Sequence, residues 1–112
     1  MLYKVFYTAC VIPARFAGTT SGPFVFIRPE FKNDIGLLNH ELVHVKQFWK
    51  NPLMSLLYQF SKTYRLRYEA EAYNTQLKHA PNNLDRFAEF LVTNYNLQIT
   101  LDQARQAILS AE

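Results

Sequence analysis

His40-Glu41-Leu42-Val43-His44 sets two imidazoles four residues apart, with a carboxylate directly after the first. On a helix, residues i and i+4 are neighbours one turn apart, so both rings can converge on one ion. Glu41 then projects beside that ion and not onto it. Zinc takes neutral imidazole nitrogens at about 2.0–2.1 Å, and in catalytic sites it keeps a position for water, whose pKa it lowers toward about 7. A carboxylate beside that water can take its proton and later pass it to a leaving amine. The spacing is therefore that of the H-E-x-x-H signature, with His40 and His44 as metal ligands and Glu41 as general base.

Two imidazoles need a third ligand, and "RLRYEAEAY" offers Glu69 and Glu71. Two residues apart on a helix, they point roughly 200° away from each other and cannot share one ion. Glu71 lies on the side of Arg67 and near Lys78, which reads as a solvated ion-pairing face. Glu69 lies with Leu66, Ala72, Tyr73 and Gln76 on a less charged side expected to face inward, so Glu69 is the expected ligand.

The elements that must position these residues follow from patterning. Residues 2–12 and "FVFIR" at 24–28 are rich in β-branched and aromatic residues and read as strands that could pair, with Cys10 as a buried strand residue. "GTTSGP" between them reads as a turn or mobile loop. A helix is expected from Ile35 to Lys50, capped by Asn33 or Asp34 and stopped at Asn51-Pro52. Its apolar stripe Ile35, Leu38, Leu42, Val45 and Trp49 should face a core, with His40, His44 and Gln47 on the opposite side. Further helices are expected over 53–60, 63–79, 83–95 and from Thr100, whose T-x-x-Q with Gln103 is a capping box. Strands first and helices after predict one α+β domain over 1–112, a small N-terminal sheet followed by a mainly helical core.

Composition agrees with a single core: 112 residues, 49% hydrophobic and 15% aromatic. The net charge of +3 is scattered among acids, so neither nucleic acid nor membrane is an expected partner. A lone cysteine, Cys10, excludes an internal disulfide framework and suits a reducing compartment. The opening "MLYKVFYTAC" has an apolar run shorter than the roughly 7–15 residues of a leader and reads as a strand. No segment approaches the roughly 20 apolar residues of a membrane span. A cytoplasmic or virion-associated location is expected.

"HELVH" with the downstream glutamate of "YEAEAY" resembles the gluzincin zinc metallopeptidases, in particular the minigluzincins and small phage or bacterial proteins of this kind. The resemblance covers about residues 23–80. It implies a zincin-like core in which one helix carries H-E-x-x-H, a second supplies a glutamate ligand, and a small sheet lies beside the cleft. Carried onto this chain, it implies Zn2+ held by His40, His44 and Glu69, with Glu41 as base and a peptide or protein as substrate. Several relatives place an aspartate four residues after the ligand glutamate to orient a histidine; here that position is Tyr73. Asn39 or Gln47 can substitute, since an amide oxygen accepts an imidazole N–H.

Hydrolysis also calls for a group that stabilises the oxyanion, for which Tyr73, His79 and Arg65 are candidates. The strand "FVFIR" could hold an extended substrate at the cleft edge. The alternative to a peptidase is a non-catalytic zincin-like module, a zinc-binding or protein-interaction part such as one of a phage particle. Small size and seven tyrosines motivate it.

Overall fold

The computed structural model describes residues 1–111. Three strands, β1 (Lys4–Tyr7), β2 (Gly18–Ser21) and β3 (Phe24–Ile27), precede five helices: α1 (Ile35–Lys50), α2 (Pro52–Leu57), α3 (Lys62–Leu77), α4 (Leu84–Asn94) and α5 (Leu101–Ser110). The chain is α+β, as its patterning implies.

The sheet order is β1-β3-β2, with β1 parallel and β2 antiparallel to β3. Two expectations change here. "GTTS" is a strand and not a loop, because Thr19 and Thr20 suit a pleated surface and the register pairs Gly18 with Ile27 and Ser21 with Phe24. Only Gly22 and Pro23 turn, with Gly22 at φ 56°, a left-handed conformation open to glycine. The first strand, in turn, stops at Tyr7. Beyond it the Thr8 hydroxyl accepts from the Cys10 amide, drawing the chain into a turn that leaves Cys10 exposed and not buried.

Strand β3 alternates as period two demands. Val25 and Ile27 are buried against Leu37 and Val45 of α1, while Phe26 stacks on Phe6 on the outer face. A second core joins α3, α4 and α5 through Tyr73, Phe87, Ala88, Leu91, Leu97, Ala104 and Ile108.

Helix α1 lies between the two. Asp34 caps it by accepting from the Leu37 amide, and it ends at Asn51, whose side chain then caps α2 by accepting from Met54. The expected apolar stripe is only partly used: Val45 is buried and Leu38 and Leu42 half-buried, but Ile35 and Trp49 are exposed. The buried residues include Gly36, Leu37, His40, Glu41 and Gln47, because α3 covers the side of α1 that the sheet does not. A helix sandwiched between two layers cannot be read from one stripe.

Arg65 on α3 ties the helical half together. Its guanidinium donates to the carbonyls of Tyr58, Gln59, Tyr95 and Asn96, satisfying backbone groups in the turns after α2 and α4.

Candidate metal centre

His40 and His44, one turn apart on α1, and Glu69 on α3 come together at the interface of these helices. Their donor atoms all lie within 4.8 Å of one another, a cluster that could hold a metal ion. Glu69 Oε1 is 3.4 Å from His40 Nε2 and 3.2 Å from His44 Nε2. Glu69 and His40 are buried, and Glu71 is half-exposed on the other side of α3. The expected ion pair between Arg67 and Glu71 is not among those of the described residues; Arg67 lies over the Tyr64 ring instead.

The surroundings of His44 determine its tautomer. Gln47 Nε2 donates to the Tyr68 carbonyl, which can only accept, so Gln47 Oε1 faces His44 Nδ1 at 2.8 Å. That oxygen needs a proton on Nδ1, which leaves Nε2 toward Glu69. Gln47 thus does for His44 what was expected of Gln47 or Asn39. Asn39 does not take part: its amide donates to the Ile35 carbonyl and lies 3.4 Å from His79 Nε2.

His40 has no such support. Tyr73, in the place of the aspartate, packs its ring edge-on at 4.5 Å and uses its hydroxyl on Tyr95 at 3.0 Å. His40 Nδ1 is buried without a hydrogen-bond partner among the described residues.

Tyr58, just after α2, was not anticipated. Its hydroxyl donates to Glu69 Oε2, the carboxylate oxygen turned away from the histidines. Burial and the adjacent Glu69 charge raise the phenol's pKa, so it stays a donor. A lone tyrosine in "SLLYQF" carries no motif; only its place beside the predicted glutamate helix could have drawn notice.

Electrostatics bind the cluster together. Burial disfavours the charged form of His44, but the Glu69 carboxylate outweighs it and lifts the pKa from 6.5 to about 9. Burial likewise pushes Glu69 up, yet the His44 charge and hydrogen bonds from both imidazoles hold it well below the usual carboxylate range.

Glu41 is buried beside the cluster and outside it. Thr20 on β2 donates to Glu41 Oε1 at 2.8 Å. Gly18 makes the approach possible, because a Cβ there would meet Glu41 Oε2 at 3.3 Å and the Phe26 carbonyl at 3.2 Å. A cleft of about 540 Å³ runs over these groups, lined by Gly18, Thr20, Glu41, His44, Tyr58 and Glu69. Strand β3 is not its edge, since both sides of β3 are paired; the edge strand along the cleft is β2.

The remaining candidates separate. Arg65 lines the cleft but spends its donors on backbone carbonyls, Tyr73 is engaged with Tyr95, and exposed His79 opens onto a second cavity of about 760 Å³ that also reaches His40 and Glu41. No protein-family model, curated protein or solved structure matches the chain. Among the described residues no helix is long and apolar enough to cross a membrane.

Proposed function

We propose that the chain is a zinc-dependent peptidase of gluzincin type. The observation that carries this reading is the joint placement of two Nε2 atoms and one carboxylate oxygen, with Glu41 held alongside by Thr20. Zinc bonds of about 2.0–2.2 Å at tetrahedral angles put neighbouring donors about 3.3–3.6 Å apart. Of the two separations from Glu69 Oε1, 3.4 Å falls in that range and 3.2 Å just short of it, and two nitrogens with one oxygen are a donor set zinc accepts.

Bound zinc would supply an open position at which water is acidified. Glu41, held at Oε1 by Thr20, would take the proton of the attacking water and later return it to the leaving amine. An extended peptide pairs with β2, whose Gly18–Ser21 edge brings main-chain hydrogen bonds next to Glu41.

The second reading, a non-catalytic metal-binding or interaction module, is favoured by one observation, the unpartnered His40 Nδ1, which leaves that ring without an anchoring acceptor. Metal analysis paired with hydrolysis of an unstructured protein, with and without chelator, separates the two. The peptidase reading expects one zinc per chain and chelator-sensitive hydrolysis that Glu41→Gln abolishes while keeping the metal. Zinc at full occupancy without hydrolysis in the wild type overturns it in favour of the module.

A further inference from the structure

Helix α2 buries none of its residues. Tyr58, at its end, faces the cleft together with Ser55, while Leu53, Leu56 and Phe60 are exposed, Phe60 at 83%. At i, i+3 and i+7 these three fall on one side of the helix and the turn that continues it. Trp49, the last apolar residue of α1, is exposed four residues before Leu53 in the chain and donates its indole N–H to the Leu2 carbonyl at 2.7 Å. That bond brings Met1, Leu2 and Tyr3, all exposed, to the C-terminal end of α1. Large apolar side chains gathered on a surface mark a contact site.

The charge along this stretch of chain has one sign. From Leu42 to Tyr68 there is no acidic residue, and Lys46, Lys50, Lys62 and Arg67 are exposed, while Arg65 is spent on backbone carbonyls. Lys46 and Lys50 are exposed and flank Trp49 on the α1 surface, and Lys4 follows the N-terminal apolar residues. Protruding aliphatic and aromatic side chains with exposed lysines close to them in the chain are complementary to a bilayer whose headgroups are anionic. Self-association through the same face would set lysine against lysine.

We propose that Leu53, Leu56 and Phe60 of the α2 segment, with Trp49 and the N-terminal residues, dock onto an anionic lipid surface, the apolar tips entering the interface and the lysines meeting the headgroups. Docking is peripheral and does not depend on the metal. It departs from the expectation of no membrane partner, because charge that is mixed over the whole chain is of one sign over residues 42–68.

Trp49 is the only tryptophan and therefore reports on its own surface. The test titrates the full chain with phosphatidylcholine vesicles, with and without phosphatidylglycerol, reading tryptophan emission and co-sedimentation. A blue shift and co-sedimentation with the anionic vesicles, both lost at about 1 M salt, are expected. Lys46→Glu with Lys50→Glu should weaken binding at least about tenfold, and Leu56→Ser with Phe60→Ser should also weaken it, with helicity and metal content unchanged. Absence of a shift with anionic vesicles, or binding that ignores both pairs of substitutions, overturns the proposal. So does concentration-dependent dimerisation through these residues without vesicle binding.

Discussion

The Tyr58 hydroxyl donates to Glu69 Oε2, while Glu69 Oε1 faces both imidazoles. The two carboxylate oxygens thus have separate partners, and Oε1 alone faces the cluster that could hold a metal ion. Tyr58→Phe removes only that hydroxyl. Metal affinity should fall about 10–100-fold with the fold retained, as read by competition with a chelating dye. Unchanged affinity would show that α3 packing alone orients Glu69.

Gln47 and Asn39 should separate in the same assay. Gln47→Ala frees the His44 ring and should weaken metal binding to a similar degree, whereas Asn39→Ala, whose side chain is hydrogen-bonded to no cluster residue among the described residues, should leave it unaltered. Equal effects would mean that the His44 tautomer does not depend on Gln47.

The glutamates provide a third comparison. Glu69→Gln should lower metal affinity by orders of magnitude, because it removes a buried charged donor, and Glu71→Gln should change it little. Isothermal titration of both variants checks this, and the reverse ranking would displace Glu69 from the cluster.

Stability of the metal-free protein should depend on pH through His44. Its folded pKa, about 9, lies above the unfolded 6.5. The His44–Glu69 ion pair therefore contributes fully below pH 6.5 and is lost as pH rises through about 9, a decline on the order of a few kcal/mol. Metal binding must displace that proton, so affinity should increase about tenfold per pH unit up to about 9. Urea unfolding across this range tests the first statement. Stability flat from pH 6.5 to 9.5 would remove the ion pair.

Gly18 tests the setting of Glu41. Gly18→Val drives a side chain toward Glu41 Oε2 and the Phe26 carbonyl, so hydrolysis should fall by about 10² or more while metal content stays unchanged. Loss of the metal as well would place Glu41 in the cluster.

The cluster was legible because helical geometry alone carries the i, i+4 relation of His40 to His44 and the opposed faces of Glu69 and Glu71. The limits of α1 were legible for the same local reason: Asp34 and Asn51-Pro52 act on their own neighbours. What depended on distant chain was not. Tyr58, Gly18 and Thr20 reach the site through tertiary contacts that leave no periodic trace. "GTTS" was misread because glycines and a proline hid two β-branched residues that another strand completes. The exposure of Ile35 and Trp49 shows the same limit, since an apolar face does not reveal which layer covers it.

All three donors sit on α1 and α3, and the segment from Asn51 to Ser61 only joins them. Of that segment, Tyr58 alone is hydrogen-bonded to a donor among the described residues. The connection is therefore a graft point: its outward positions, Leu53 and Leu56, can change without touching a donor of the cluster, provided the cleft-facing Ser55 and a hydroxyl at position 58 remain. A library confined to the outward positions of α2 would explore new destinations on one unchanged centre.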